Sequence, residues 1–309
     1  MARSGALVVS RVSGFWGRPR PDLVLFTATV ALLAIGVVMV FSASYTRALT
    51  DYGDPYYFIK RQLLWASLGV AAMIAVMHID YHVYKPLTLP LLAVTLLLLG
   101  VVLLAAPPIG GARRWLDLGP LSVQPSEIAK LAVVNFLAAF ISERRQEVRR
   151  FWSGVILPLA VVGVIFLLIL IEPDFGTAVT ILGCSALVLF AAGARIGHLA
   201  AIALSSLPAL AALVWIKPYR LRRIVAFLDP WKDPLDAGWN VIQSLMAIGS
   251  GGLFGLGLGE SRQKYAYLPE QHTDFIFAIL CEELGLFGAG CVVFLFACIA
   301  WRGYRIALR

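Results

Sequence analysis

Charge is scarce in this sequence. Only 14% of its 309 residues are Asp, Glu, Lys or Arg, 60% are hydrophobic, and the mean hydropathy is +0.83. A soluble globule of this length needs more polar surface than that, so the class is excluded. Also missing is the apolar–polar alternation over ~10 residues that a transmembrane barrel requires, because the apolar runs are unbroken. Cysteine is rare, and Cys184, Cys281, Cys291 and Cys298 all fall in apolar runs without short paired spacing. They read as small buried hydrophobes, which leaves no disulfide or metal framework. No Gly-Lys-Ser/Thr follows the glycine-rich stretch, so a P-loop is ruled out. Low-complexity tracts, soluble linkers and visible internal repeats are lacking. The last absence weighs against a transporter, since many transporter folds carry duplicated halves. Finally, no acid occurs in the first 20 residues, which hold Arg3, Arg11, Arg18 and Arg20, and no small-residue cleavage site follows the first apolar run. Residues 1–20 therefore read as a cytoplasmic tail before a retained helix rather than a removed signal peptide.

What is present are runs of about 20 apolar residues, each long enough to cross a hydrocarbon core of ~30 Å as a helix. The expected spans are 23–44, 60–79, 86–106, 126–142, 154–171, 176–193, 197–216 and 274–300. The fold class is thus all-α, a polytopic transmembrane bundle of about eight spans forming one membrane domain over 1–309. The formal charge of +8 points to topology and to phosphate-bearing lipids more simply than to nucleic acid. With the N-terminus inside, inner segments hold thirteen of the 26 basic residues and the short outer loops and helix ends six: Arg47, Lys60, Arg61, Arg113, Arg114 and Lys130. That bias supports a cytoplasmic N-terminus.

The other seven, Lys217, Arg220, Arg222, Arg223, Lys232, Arg262 and Lys264, lie in one long extracytoplasmic loop, 217–272. Trp215, Tyr219, Trp231 and Trp239 recur there at intervals suited to an amphipathic segment lying on the outer leaflet. Val241 to Ile248 is too short to span, and six glycines follow between Gly249 and Gly259. This predicts an interfacial or re-entrant turn lining a cavity, because irregular backbone at membrane depth must find polar partners; a plain flexible loop is the alternative.

On this topology Arg113, Arg114, Glu127, Lys130, Glu172, Asp174 and Asp274 all fall on the outer side. Each alone has a structural explanation. Glu127 and Lys130, three apart, suit a helical ion pair, Glu172-Pro-Asp174 a turn with a helix cap, and Asp274 an acid at a helix start. Together with the basic loop they suit an anionic, lipid-borne substrate better. On the last span Ala278, Cys281, Gly285 and Gly288 all lie within about 40° of Asp274 around the helix at ~100° per residue, which argues that Asp274 points into the bundle past small neighbours. Glu282 and Glu283, two turns further in, are costly at that depth and call for polar partners.

The motifs, in order, resemble those of the SEDS (shape, elongation, division and sporulation) family. They are Met39-Val-Phe-Ser-Ala-Ser44, Gly111-Ala-Arg-Arg-Trp115 with Gln124-Pro-Ser-Glu-Ile-Ala-Lys130, Pro173-Asp-Phe-Gly-Thr177, Phe227-Leu-Asp-Pro-Trp231, Gln243-Ser244, and Leu268-Pro-Glu-Gln-His-Thr-Asp-Phe-Ile-Phe277 with Glu282-Glu-Leu-Gly285. Ser261-Arg-Gln-Lys-Tyr265 is more similar to the division and sporulation type than to the elongation type. Family members usually have ten spans, against eight read here. The resemblance implies a peptidoglycan glycosyltransferase of the bacterial cytoplasmic membrane, with its active site extracytoplasmic. In it the 4-hydroxyl of an acceptor N-acetylglucosamine attacks C1 of the N-acetylmuramic acid of lipid II and expels undecaprenyl pyrophosphate, inverting the anomeric centre. It places the catalytic acid on Asp274 and substrate contacts on Arg113, Arg114, Glu127, Lys130, Asp174, Gln243, Ser244, His272 and Thr273. It names no certain cofactor, and a divalent cation (Mg²⁺ or Mn²⁺) is left open with unknown ligands. The implied partners are lipid II, a class B penicillin-binding protein transpeptidase, other divisome proteins and membrane lipids. Two alternatives stand beside it. A lipid II translocase would expose its site to both sides in turn, and a non-enzymatic divisome scaffold would have no need of Asp274.

Overall fold

The computed structural model describes residues 21–107, 113–117, 122–216, 218–265 and 268–308. The basic tail 1–20, the glycines before Arg113, Lys217, Tyr267 and Arg309 lie outside the described residues. Eight long apolar helices carry the fold: α1 (Leu23–Tyr52), α2 (Tyr57–Met77), α3 (Thr88–Ala105), α4 (Pro125–Glu143), α5 (Leu157–Ile171), α6 (Phe175–Ala191), α7 (Ile196–Trp215) and, after the long loop, α10 (Ile276–Ala307). Among the described residues seven stretches are long and apolar enough to cross a membrane, α5 counting with the π-helical turn Phe151–Ile156 before it, and α6, at 17 residues, is just shorter. Two short helices, α8 (Pro218–Leu228) and α9 (Trp239–Ser250), lie in the loop. These eight apolar helices match the eight expected spans. A two-residue antiparallel ladder, β1 (Leu116–Asp117) with β2 (Ser122–Val123), joins α3 to α4 and had no sequence signal.

Local chemistry fixes the ends. Asp22 caps α1 through Leu25 N–H at 3.1 Å, and Gly53 closes it in the left-handed conformation. Pro125 opens α4, and Asp174 caps α6 through Thr177 N–H at 3.2 Å.

The described residues form two compact units, one running up to His78 and resuming at Pro218, the other from Ile79 to Ile216. In the first, α1 packs along α10, and Met39, Ala43, Leu268 and Ile279 are core residues. In the second, α3, α4, α5 and α6 enclose Leu99, Val133, Leu137, Val162, Ile165 and Ile169.

Two expectations for the last span are corrected. The helix begins at Ile276, after Asp274, and it is interrupted at Gly285 (φ 66°, ψ −167°) rather than continuous. The break has a physical reason. Leu256 and Gly257 N–H donate to the Glu282 and Glu283 carbonyls at 2.9 and 3.0 Å, while Leu286 and Phe287 N–H donate to Gly252 and Leu253 carbonyls at 2.9 and 3.1 Å. The glycine turn thus replaces the hydrogen bonds that the broken helix gives up, as buried irregular backbone requires. Approach is so close that a Cβ on Gly255 would lie 2.1 Å from the Glu283 carbonyl oxygen. The irregular backbone that the glycine run predicts thus finds polar partners in α10.

Candidate active site

In the first unit, the site is built on the turn between α9 and α10. Glu270 takes a left-handed backbone (φ 50°), and its carbonyl accepts Thr273 N–H at 3.1 Å and Phe275 N–H at 3.4 Å, closing the turn just ahead of α10. A non-glycine residue in that conformation is uncommon and is found where surrounding contacts hold it. Here Arg47 of α1 pairs with the Glu270 carboxylate at 3.1 Å. Gln271 is buried, and its amide donates to the Ala43 carbonyl at 2.9 Å and the Lys264 carbonyl at 2.8 Å. His272 rests its ring on Phe58, centroids 4.5 Å apart. Loss of water around the imidazole, with Arg47 nearby, lowers its pKa below the usual 6.5 against the opposing charges of Glu270 and Asp274. Thr273 turns its hydroxyl back to Glu270, and Asp274 stands uncovered at the end of the turn.

Because Asp274 precedes the helix, the shared helical face does not reach it. Ala278, Cys281 and Gly285 are buried as that face predicts, but the acid is neither an inward-pointing helical residue nor the cap, a position Phe275 holds. A cleft of about 470 Å³ opens beside the turn, lined by Thr46, Arg47, Lys264, Tyr265, Glu270 and Gln271 among others. Gln243 is buried on α9, and the neighbouring Ser244 spends its hydroxyl on the Asn240 carbonyl at 2.7 Å.

The cationic reading of the long loop needs correction at two positions. Lys264 is buried against Glu283, and Arg220 is 8% exposed with its guanidinium against the Tyr219 ring and hydroxyl. Both side chains are covered by neighbours rather than exposed at the surface. Arg222 and Lys232 are exposed and pair with Asp236 and Asp229 at 3.9 and 3.6 Å.

In the second unit, Glu127 and Lys130 form the expected pair, 2.9 Å apart and partly exposed on α4. Gln124 Nε2 donates to Asp174 at 3.0 Å, tying the start of α4 to the cap of α6. Arg114 donates to the Glu172 carbonyl at 3.3 Å and to the Pro173 carbonyl, bracing the turn between α5 and α6, while Arg113 donates to Leu103 at 3.1 Å. Glu172 itself is wholly buried with neither carboxyl oxygen hydrogen-bonded. Burial, then the nearby Asp174, push its pKa from 4.5 to about 7 against the pull of Arg114. The two units thus hold the candidate residues in separate groups: Gln243, Ser244, His272, Thr273 and Asp274 in one, Arg113, Arg114, Glu127, Lys130 and Asp174 in the other.

Sequence reasoning did not single out Ser42, Lys264 or Gln271 as polar anchors. Ser42 has a signal, a hydroxyl inside an apolar helix, but its partner is 241 positions away. Among the described residues no three His, Cys, Asp or Glu side chains converge as a metal site would need.

Three comparisons bear on this arrangement. Residues 23–309 match the family model FTSW_RODA_SPOVE, described as "Cell cycle protein". The chain is 46% identical over 292 residues to stage V sporulation protein E of Bacillus subtilis (strain 168), covering 93% of this chain and 79% of that one. It is 41% identical over 302 residues to a probable peptidoglycan glycosyltransferase FtsW of Geobacter sp. (strain M18), covering 96% and 80%. Both relatives carry sporulation- and division-type names, in line with the Ser261–Tyr265 run. Among solved structures it is similar to a chain of "Structural coordination of polymerization and crosslinking by a peptidoglycan synthase complex", with TM-score 0.75 and 31% identity over 93% of this chain and 78% of that one. Similarity extends to the rod shape determining protein RodA of Thermus thermophilus, with TM-score 0.61 and 27% identity over 93% and 75%. Motifs in order, a helical membrane fold and relatives matched over nearly the whole sequence agree: the chain belongs to the FtsW, RodA and SpoVE family.

Proposed function

We propose that this chain is a peptidoglycan glycosyltransferase that polymerises lipid II on the outer face of the bacterial cytoplasmic membrane, in division or sporulation, beside a class B penicillin-binding protein transpeptidase. Asp274 is the general base. A sugar 4-hydroxyl is a weak nucleophile, and a carboxylate within hydrogen-bond reach of its proton contributes typically ~10²–10⁴-fold. As the hydroxyl oxygen bonds to C1 of the donor muramic acid, the C1–O bond to pyrophosphate breaks, the proton passes to Asp274, and the anomeric centre inverts. Because attack is direct, one base suffices and no covalent enzyme intermediate forms, by analogy with inverting glycosidases.

The observation that carries this reading is an uncovered carboxylate at the end of a turn whose Glu270 and Gln271 side chains are pinned and line a cleft of about 470 Å³. The family membership and the relatives' names support it. In the same proposal Arg113, Arg114 and Lys130 favour the charge gathering on the departing pyrophosphate, as preorganised cations do. A divalent cation on the departing pyrophosphate belongs to the same proposal, with no ligands assigned, since among the described residues no three His, Cys, Asp or Glu side chains converge. Purified lipid II incubated with the protein and its partner transpeptidase is the test. Glycan strands with release of undecaprenyl pyrophosphate are expected, whereas lipid II crossing vesicles without polymer would point to a translocase, and neither outcome to a scaffold.

A further inference from the structure

Glu282 and Glu283 sit side by side in α10, each about 1% exposed, and each holds a different stretch of chain. Glu282 accepts the Ser261 hydroxyl at 2.5 Å and the Arg262 N–H at 3.0 Å. Glu283 accepts the Ser42 hydroxyl of α1 on both oxygens, at 2.7 and 2.8 Å, and faces the Lys264 ammonium at 3.5 Å. With the side chains 7% and 0% exposed, water has little share in that charge pair. Lys264 also donates to the Gly259 carbonyl. Its own carbonyl accepts the Gln271 amide, which reaches on to Ala43 of α1. A covered path of polar contacts therefore runs from Glu283 through Lys264 to Gln271, three residues short of Asp274, and it touches α1 at Ser42 and again at Ala43.

We infer that Glu283, Lys264 and Gln271 are positioning residues: a buried charge pair and a bridging amide hold the turn that presents Asp274. The inference rests on the reading of Asp274 as the base. None of the three reaches the acid directly. Their effect passes through the backbone between Gln271 and Asp274, where a misplacement of ~1 Å costs on the order of 10²-fold in rate. Removing one partner of a buried ion pair strands the other's charge, whereas replacing both with uncharged groups of similar volume is often nearly neutral. The pair is thereby distinguishable from residues that touch substrate.

The test uses the full chain with lipid II, comparing Lys264→Met, Glu283→Gln, the two combined, and Gln271→Ala. Each single change should lower kcat roughly tenfold or more with KM within about twofold, and the double change should recover to within about threefold of the parent. In parallel, a nitroxide on Thr273→Cys, with the four native cysteines replaced, should be more mobile in the single variants and return to its parental line shape in the double variant. Singles with parental kcat, an unchanged line shape, or a double variant as impaired as the worse single would each overturn the inference. Were the parent to make no glycan at all, the Asp274 reading would fall, while the nitroxide would still decide whether the pair holds the turn.

Discussion

Glu172 carries a carboxyl that burial keeps protonated into the neutral range, and this sets a direction for stability against pH. Unfolded, the group loses its proton near 4.5; folded, it does so near 7. Between those values the folded state binds more protons, so stability falls as pH rises across the window and is flat outside it. His272 works the other way, its lowered pKa removing stability as pH drops below 6.5. Comparing Glu172→Gln with the parent isolates the first effect: the melting temperature of the variant should decline less between pH 5 and 7.5, and parallel curves would contradict the assignment. Lys130 invites a second comparison. A single positive charge serves pyrophosphate without needing a planar fork, so Lys130→Met should abolish polymerisation. If the pair with Glu127 were its whole purpose, Glu127→Gln combined with Lys130→Met would recover activity. We expect that double variant to stay inactive. At this scale the sequence pointed well to the pair, because three-residue spacing on a helix suffices, and poorly to Lys264, whose charge looked interfacial until its partner on α10 was in view.

Among the elements, the interrupted α10 and its glycine turn make the sharpest energetic claim. Gly255 needs both a left-handed backbone (φ 80°) and the absence of a Cβ, since that atom would meet the Glu283 carbonyl. Gly53, also left-handed (φ 68°), has open space around its Cβ direction. Gly53→Ala should therefore cost only the conformational term, about 1–2 kcal/mol, and Gly255→Ala a further ~1–3 kcal/mol from overpacking. Thermal unfolding in detergent checks the order, and equal losses would refute the close packing of turn and helix. Helix existence was legible throughout because each span is an unbroken apolar run. The start of α10 was not, because Phe275 extends the apolar pattern and Asp274 suits a helix-opening acid, while Glu270 bends the backbone away from a helix there. The glycine run announced irregular backbone, yet only the hydrogen bonds to residues 282–287 reveal which helix it completes.

For the whole molecule, the charge bias of the loops carries a proposal about sides. Exposed cysteines introduced at Arg113 and Lys232 should react with a membrane-impermeant thiol reagent added outside, and one at Arg149 should not. The reverse pattern would invert the topology and remove the outer site. The most direct measurement concerns the base itself: polymerisation of lipid II by the Asp274→Asn variant, which keeps the shape of the side chain but loses the carboxylate. Membrane insertion and association with the partner transpeptidase should persist, while glycan synthesis and undecaprenyl pyrophosphate release fall by about 10²-fold or more. Polymerisation near the parental rate would contradict Asp274 as the base.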